Sequence, residues 1–285
     1  MSKKSGNIQI PNSKFQEYHT PVLLNECLEG LNIQPGGIYV DCTFGGGGHS
    51  LAILQQLNEN GKLVVFDQDE DARKNLPDDN RVVFVPQNFR HLHRFLRLHK
   101  IATVDGILAD LGVSSHQFDE AERGFSIRFD AALDMRMDQR QAITAADILK
   151  NFSELQLHKM FEQYGEVTNA KTLAKTIVAQ RSITSIRTIN EFKTAVQTIV
   201  KGNPNKYFAQ VFQALRIEVN DELGALKELL QQTASVLNPG GRIAIITFHS
   251  LEDRLVKNFF RDGTFEDTAI DDVYGHRFQN PFKVI

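Results

Sequence analysis

The fold is decided by the stretch Ile38–Ser50, which reads IYVDCTFGGGGHS. Its apolar half, Ile38–Phe44, predicts a β-strand, and the segment Ser50–Leu57 predicts a helix after the glycines. Four successive glycines are costly in backbone entropy unless the backbone must approach another group closely. Backbone amides at the start of a helix then face a ligand. A flexible surface loop is the alternative, and the strand and helix on either side disfavour it.

The residues around the glycines narrow the type of ligand. A dinucleotide fingerprint requires a third glycine where this sequence has Ser50 or Leu51, and the absence of a following Gly-Lys-Ser/Thr excludes a nucleotide P-loop. Asp67 ends the second apolar run, where a carboxylate accepts hydrogen bonds from ribose hydroxyls. NAD and S-adenosylmethionine share that ribose, so Asp67 indicates an adenosine-type cofactor without choosing between them. An ordinary strand-end turn residue is the alternative. Phe89 follows the third run, beside the expected adenine, although a lone aromatic more often belongs to the core.

Five apolar runs indicate the strands of one sheet. Helix-length segments separate the early runs, an order typical of a parallel sheet covered on both faces. The runs are Ile38–Phe44, Leu63–Phe66, Val82–Val85, Val104–Leu111 and, after the turn Asn238–Gly241, Arg242–Phe248. Thr20 followed by Pro21 predicts the start of a helix that continues to Leu31.

The interval between the fourth and fifth runs is far longer than a βαβ crossover needs. One predicted helix, Asp221–Leu237, is sufficient for the crossover, so Phe118–Phe212 is interpreted as an insertion. Its signals are helical, namely the capping boxes Ser153-x-x-Gln156 and Thr188-x-x-Glu191 and the helix stops Gly165 and Gly202. We therefore predict an α/β fold, a Rossmann-like sheet with an inserted, mostly helical second domain. The expected divisions are a flexible tail at 1–18, the sheet domain at 19–117 and 213–285, and the inserted domain at 118–212.

A second polar loop, Asp110–Gln117, leaves the fourth strand. Neighbouring strands depart in opposite directions at this edge, which creates the crevice where open α/β sheets bind ligands. In an amine methyltransferase, the Asp110 carboxylate would accept a hydrogen bond from the amine and turn its lone pair toward the methyl group. The transfer would be a single in-line displacement that depends mainly on proximity.

The string Phe248–Arg254 ends the fifth strand at the same edge. Serine, histidine and acid together invite a hydrolase triad, which the missing G-x-S-x-G elbow disfavours. His249 and Ser250 are better interpreted as site-lining residues, with helix N-capping by Ser250 as the alternative. The candidate catalytic residues are Asp110, Ser114 and His249.

Composition limits the class of protein. The 285 residues are 41% hydrophobic and 24% charged, which is ordinary for a globular protein. No apolar run approaches the ~18 residues of a membrane span, and the polar segment Met1–Lys14 does not resemble a signal peptide. The two cysteines, Cys27 and Cys42, lack metal-site spacing. We therefore expect reduced thiols, no bound metal, no membrane and a cytoplasmic location.

The charge balance argues against a broad surface for bare nucleic acid. The net charge is −3 and the pI is about 6.3, whereas proteins that grip bare nucleic acid usually carry excess Lys and Arg. RNA contact would then depend on local patches or on a folded particle. One candidate patch is the basic face of Phe89–Lys100, and a solvated helix surface is the default interpretation of that face.

Taken together, several strings resemble the bacterial 16S ribosomal RNA (cytosine-N4)-methyltransferases, the RsmH or MraW family. They occur in order over nearly the whole chain, and each alone would be a weak signal. The strings are His19–Leu24, Asp41–Ser50, Asp105–Ser115, Ala121–Ser126, Leu133–Asp138, Phe212–Ile217 and Phe248–Arg254.

The resemblance implies that S-adenosyl-L-methionine is the cofactor and that the reaction is N4-methylation of a decoding-region cytidine. It also implies a bacterial cytoplasmic enzyme whose partner is 16S rRNA within the small ribosomal subunit, with a homodimer as a further expectation. The inserted domain would help to recognise RNA, with the target cytidine extruded from its surroundings. By motif position, the implied cofactor contacts are Gly47, Gly48, His49, Asp67, Phe89, Asp110 and Gln117.

The sequence departs from the family pattern in two places. Ala131-Ala132 stands where the family has Gly-Pro, and family members continue past Ile285 into a basic segment. The family also lacks the Pro-Pro-aromatic tetrapeptide of many amino-methyltransferases, and Asp110–Val113 stands in its place. Two rival functions remain open from the residues alone. They are an NAD-dependent oxidoreductase and a non-catalytic ribosome-assembly factor that binds an adenosine cofactor.

Overall fold

The computed structural model describes residues 21–265 and 281–285 of the chain. The predicted tail at 1–18, the motif residues His19 and Thr20, and residues 266–280 of the predicted sheet domain lie outside this part.

Five strands form one parallel sheet, which confirms the predicted fold class. They are β1 (Ile38–Asp41), β2 (Lys62–Phe66), β3 (Val82–Val85), β4 (Val104–Asp110) and β5 (Leu237–Ile246). Their spatial order is β3-β2-β1-β4-β5, and every neighbouring pair is parallel. The direction of winding reverses between β1 and β4, which are neighbours in the sheet. The carboxyl ends of these two strands therefore flank the crevice where ligands bind in such sheets.

Eleven α-helices lie within the described residues, most of them between β4 and β5. They are α1 (Leu24–Leu31), α2 (Gly48–Gln56), α3 (Leu92–Leu98), α4 (Ser115–Asp119), α5 (Ala145–Asn151), α6 (Glu154–Gly165), α7 (Ala170–Arg181), α8 (Ile189–Val196), α9 (Pro204–Asn220), α10 (Glu222–Val236) and α11 (Ser250–Asp262). Among the helices in this part of the chain, none combines the length and apolar character that crossing a bilayer requires.

Two boundaries near the N-terminus differ from the prediction. Helix α1 begins at Leu24 and not at Pro21, because Leu23 has left-handed backbone angles with φ of 51° and cannot continue a right-handed helix. Strand β1 ends at Asp41 and not at Phe44, because the chain leaves the sheet there to form the glycine loop.

Strand β5 begins five residues before the predicted start at Arg242. Leu237 pairs with Val104, and Arg242 pairs with Gly106. The residues of the predicted turn therefore lie inside the strand as an irregularity opposite one residue of β4. The residues Asn238–Gly241 do interrupt the regular strand pairing, but the pairing of Leu237 before them has no local sequence signal.

Two hydrophobic clusters cover the two faces of the sheet. One joins Ile53 of α2 to Leu63 of β2, and the other joins Leu92 of α3 and Leu229 of α10 to Val64 of β2. Successive residues of β2 thus enter opposite clusters. Both faces of the sheet are buried, which is why its strands are continuous apolar runs and do not alternate with polar residues.

A third cluster is built by the helical region between β4 and β5. It extends from Phe125 to Val219 and includes residues of α5 to α9. Val211, Leu215 and Val219 of α9 are all buried in it. The predicted division at residues 212 and 213 therefore falls within α9, whose buried face belongs to the helical region over its whole length.

Three of the four local helix signals in this region are confirmed, whereas Gly202 is not a helix stop, because α8 already ends at Val196 and Gly202 lies in the bend before α9. Ser153 and Thr188 are the N-caps of α6 and α8, and each forms a reciprocal capping box with Gln156 and Glu191, respectively. Helix α6 ends at Gly165, as the sequence predicts.

Candidate active site

A cavity of about 310 Å³ lies at the carboxyl ends of β1, β2 and β4, within the size range of small-ligand sites. Seven of the nine residues predicted for the site line it. They are Gly48, His49, Asp67, Phe89, Asp110, Ser114 and Gln117. The other two, Gly47 and His249, do not line this cavity.

The glycine loop is shaped by close contacts that a side chain would prevent. Gly47 has φ of 78°, and a Cβ atom there would lie 3.1 Å from the ring of Phe44. A Cβ atom on Gly48 would overlap the ring of Pro21. Gly47 therefore contributes to the site by setting the path of the loop, whereas Gly48 also forms part of the cavity wall.

Asp67 lies at the end of β2 and faces the glycine loop. Its Oδ2 accepts a hydrogen bond from the Gly45 amide at 2.8 Å, and its Oδ1 accepts one from the Asp69 amide at 2.8 Å. Burial raises the pKa of Asp67 to about 7, against the opposing effect of these two amides. Each carboxylate oxygen has a second lone pair, so further hydroxyl donors can be accommodated.

Asp110 joins the two loops at the centre of the cavity. Its amide donates to Thr43 Oγ1 at 2.7 Å, and its Oδ2 lies 3.7 Å from His49 Nδ1. Within the described residues, its buried Oδ1 has no hydrogen-bond partner. Burial raises the pKa of Asp110 to about 6; His49 opposes this rise, and the charges of Asp41 and Glu252 add to it. An unpartnered buried acceptor that faces a cavity indicates a ligand donor.

Asp41 and His49 hold the glycine loop against the sheet. The fully buried Asp41 carboxylate accepts hydrogen bonds from Ser50 Oγ at 2.6 Å and from the Thr43 amide at 3.0 Å. The buried His49 ring places Nε2 3.0 Å from the carbonyl oxygen of Val22. With Nε2 bonded to that carbonyl, Nδ1 is the ring atom that faces Asp110.

Ser114 and Gln117 close the opposite wall through a capping box. Ser114 Oγ accepts from the Gln117 amide at 3.2 Å, and Gln117 Oε1 accepts from the Ser114 amide at 3.1 Å. Gln117 Nε2 donates to Asp69 Oδ2 at 2.8 Å, and the same oxygen lies 2.8 Å from Arg123 Nη1. Sequence reasoning missed this Asp69–Arg123 anchor, although the Ser114-x-x-Gln117 spacing is a recognisable cap signal.

His249 is a helix cap and not a residue of the cavity wall. Its Nδ1 accepts from the Glu252 amide at 3.4 Å, so His249, and not Ser250, caps α11. Its Nε2 lies 3.3 Å from Glu252 Oε1. The Glu252 Oε2 atom accepts from the Phe248 amide at 2.9 Å. These contacts fix the Phe248 loop at the rim of the cavity.

Glu222, His249 and Glu252 offer ligand atoms within 4.8 Å of one another, a spacing that a metal ion can occupy. However, both oxygens of Glu222 are already bound by the Arg216 guanidinium, at 2.8 and 3.0 Å. Arg216 therefore competes with any cation for Glu222.

Phe248 and Asn220 are two of the cavity-lining residues that were not predicted for the site. Phe248 lines it with 54% of its surface exposed. Asn220, at the end of α9, also lines it, while its side-chain amide accepts from the Met137 amide and donates to the Met135 carbonyl, both at 2.8 Å. Phe248 lay inside a recognised string, whereas nothing local to Asn220 indicates that α9 ends at the cavity.

The basic face of Phe89–Lys100 is partly used inside the fold. Arg90 Nη2 lies 2.6 Å from Asp221 Oδ2, and Arg90 Nε lies 3.6 Å from Glu228 Oε1. Arg90 therefore ties the segment before α3 to α10, which supports the structural interpretation of this residue over phosphate contact.

A reversed parallel sheet, a glycine loop after β1 and a carboxylate at the end of β2 define a Rossmann-like α/β fold, a class of fold that binds adenosine-type cofactors at this edge of the sheet. A sequence model of the MraW methylase family matches residues 16–274. The chain belongs to the MraW methylase family and is a methyltransferase. This assignment confirms the resemblance noted in the sequence and gives no support to the oxidoreductase or the non-catalytic alternative.

Similar curated proteins carry one name, ribosomal RNA small subunit methyltransferase H. The protein from Phocaeicola vulgatus is 52% identical, covering 95% of this chain and 89% of its own length. The protein from Bacteroides thetaiotaomicron is 53% identical, covering 94% and 88%. The protein from Cytophaga hutchinsonii is 54% identical, covering 94% and 90%.

Proposed function

We propose that this enzyme transfers a methyl group from S-adenosylmethionine to the exocyclic N4 amine of a cytidine in the decoding region of 16S rRNA. The small ribosomal subunit is the proposed substrate particle, and the cytoplasm is the proposed location. The names of the similar proteins support an rRNA substrate. The observation that carries the amine chemistry is the carboxylate of Asp110, a residue that lines the cavity and whose buried Oδ1 has no hydrogen-bond partner within the described residues.

The residues present fit an S-adenosylmethionine molecule. Asp67 offers an ionisable carboxylate with free lone pairs for the ribose hydroxyls, and Phe89 offers an apolar wall for the adenine. The glycine loop packs tightly against Pro21 at Gly48, where a side chain would displace the loop from the cavity wall. When bound, the cofactor supplies the electrophilic methyl group. Gly47 acts on the cofactor indirectly, because it sets the path of the glycine loop. His49 lines the cavity and faces Asp110, and Gln117 lines the cavity and is held by Asp69.

Asp110 is the proposed catalytic residue for the amine. A cytosine amine is a weak nucleophile because its lone pair is delocalised into the ring. The ionised Asp110 carboxylate accepts a hydrogen bond from the amine at Oδ1. This hydrogen bond fixes the amine group and orients its lone pair into the cavity. His49 faces the other oxygen, and the Asp110 amide is fixed to Thr43. This preorganisation fits a reaction that proceeds by proximity and needs no covalent enzyme intermediate.

Ser114 and His249 are proposed as positioning residues, which hold two loops in place and do not contact the reacting atoms. The Ser114 hydroxyl is occupied as a helix cap, which holds the loop after Asp110 in place. The His249 ring is occupied by Glu252, which holds the Phe248 loop. The helical region, residues 118–220, is proposed as the part that recognises RNA, because Asn220 and Met137 bring it to the cavity.

The test is nucleoside analysis of the reaction product. Small subunits that lack the modification are incubated with methyl-labelled S-adenosylmethionine, and the rRNA is digested to nucleosides. We expect label in N4-methylcytidine at one decoding-region position. Label in another nucleoside, or in no nucleoside, would contradict the proposal.

A matched variant separates chemistry from cofactor binding. Asp110→Asn removes the charged acceptor while keeping the size of the side chain. We expect it to bind S-adenosylmethionine in calorimetry but to lose most methyl transfer. Binding of NAD in preference to S-adenosylmethionine by the wild-type protein would overturn the cofactor assignment.

A further inference from the structure

Two exposed aromatic rings and one arginine form a surface next to the cavity. Phe118 is 38% exposed and Phe129 is 43% exposed. Within the described part of the chain, neither ring belongs to any of the three hydrophobic clusters. Arg128 lies between them, with its guanidinium carbon 4.8 Å from the ring centre of Phe118 and 5.9 Å from that of Phe129. We name Phe118, Arg128 and Phe129 the aromatic platform.

The platform is held in place by polar contacts at its edge. Arg128 Nη2 lies 3.2 Å from Asp119 Oδ1, and Arg128 Nε donates to Ser126 Oγ at 3.2 Å. The guanidinium is therefore fixed although its side chain is 55% exposed. A fixed guanidinium plane beside two exposed rings loses little conformational entropy when a flat ligand stacks on it.

The platform continues directly from the cavity wall. Residues Ser114 to Gln117 line the cavity, and Phe118 is the next residue of the same short helix, α4. Four residues of helix advance about 6 Å from Ser114 to Phe118. The platform therefore lies next to the cavity wall along the same helix, where a nucleotide that flanks a target base in the cavity can reach it.

We propose that the aromatic platform binds an unstacked base of the substrate RNA that flanks the methylated nucleotide. The inference rests on the proposed rRNA substrate. Proteins recognise unpaired RNA bases by stacking them on aromatic rings and arginine planes. Such stacking does not need high positive charge, which agrees with a net charge of −3. The platform allows the enzyme to bind RNA locally by base stacking, without a broad basic surface.

The test compares two double variants that differ in aromaticity. Phe118→Leu with Phe129→Leu keeps apolar side chains but removes both π faces, whereas Phe118→Tyr with Phe129→Tyr keeps them. Steady-state methylation of small subunits should show KM raised about tenfold for the leucine pair, equivalent to about 1.4 kcal/mol, as expected for the loss of base stacking. We expect kcat and the Kd for S-adenosylmethionine to stay within about twofold of wild type. The tyrosine pair should keep the wild-type KM.

The controls separate stacking from general damage to the fold. Val284→Ala removes an exposed apolar side chain outside residues 118–220, 76% exposed, and should leave KM unchanged. An unchanged KM in the leucine pair, or an equal defect in the tyrosine pair, would overturn the platform proposal while leaving the proposed function standing. An equal loss of cofactor affinity would identify the platform as a structural brace and overturn it as well.

A protein-free RNA fragment that contains the target tests the class of partner. We expect the leucine pair to bind this fragment more weakly than the wild type and the tyrosine pair in fluorescence anisotropy. A defect with whole subunits but not with the fragment would assign the platform to a ribosomal protein and refute RNA stacking. Failure of the wild-type enzyme to methylate or bind RNA would instead refute the proposed function, and the platform with it.

Discussion

Cofactor affinity is expected to depend on pH through Asp67. Its pKa is raised to about 7 by burial, so the carboxylate is mostly ionised at pH 8 and mostly protonated at pH 6. Ribose hydroxyls donate hydrogen bonds to the carboxylate and therefore favour its charged form. With a pKa of about 7, the ionised fraction falls from about nine-tenths at pH 8 to about one-tenth at pH 6. The Kd for S-adenosylmethionine should rise about tenfold over the same range.

The assay is calorimetric titration at pH 8, 7 and 6 for three proteins. Asp67→Asn has no carboxylate to titrate at this position, so its pH dependence reports only the rest of the protein and the ionisation of the cofactor itself. At pH 8 we expect Asp67→Asn to bind about 10- to 100-fold more weakly, because charge-assisted hydrogen bonds of ~1.5–3 kcal/mol become neutral ones. Asp78→Asn, an exposed position, is the matched control and should behave as the wild type.

The decisive quantity is the difference between the wild-type and Asp67→Asn profiles. We expect the two Kd values to converge as the pH falls, because the protonated wild-type side chain resembles the amide in charge. Parallel profiles would show that the cofactor does not bind to the Asp67 carboxylate. Wild-type affinity in Asp67→Asn at pH 8 would show that the ribose has been placed incorrectly.

Three further results are expected. Asp110→Asn should lower kcat about 10- to 100-fold through loss of one charge-assisted hydrogen bond of ~1.5–3 kcal/mol, and the Kd for the cofactor should not change. In the wild type, kcat measured at saturating cofactor should fall as the pH drops below the raised pKa of Asp110, about 6. Gly48→Ala should weaken cofactor binding in calorimetry because the added Cβ displaces the loop, whereas Gly30→Ala in α1, where a Cβ meets open space, should not. Arg216→Met should lower the free energy of unfolding at pH 8 by about 3–5 kcal/mol, since it leaves the buried Glu222 charge unpaired. Burial raises the pKa of Glu222, so urea denaturation should show a smaller loss as the pH is lowered and the carboxyl group becomes neutral.

The central features of the fold follow from local signals. The glycine loop, the apolar run before it and Asp67 after the next run are close in sequence, and their spacing is fixed by a βαβ unit. The capping boxes at Ser153 and Thr188 are likewise local, because an N-cap is defined within four residues. The strand order β3-β2-β1-β4-β5 was not predicted, because the consistent hand of crossover connections fixes the face that each helix covers but not the order of the strands.

One feature that was not predicted is local. The sequence gives helix N-capping by Ser250 as the alternative to a site-lining role, but His249 is the cap of α11 because its ring nitrogen accepts the Glu252 amide while Glu252 binds back to the loop. The other parts that were not predicted depend on contacts between distant residues. The pairing of Leu237 with β4 depends on a strand more than a hundred positions earlier. Asn220 reaches the cavity only because α9 packs along the helical region. None of these contacts has a periodic or short-range pattern.

Asn220 has a consequence for how ligands enter and leave. Its side-chain amide bonds two backbone groups of the segment Met135–Met137 while also forming part of the cavity wall. All three residues belong to the helical region, so the two bonds, at about 0.5–1.5 kcal/mol each, hold the end of α9 against the segment Met135–Met137. We therefore expect this part of the cavity wall to move as one unit when a ligand enters or leaves.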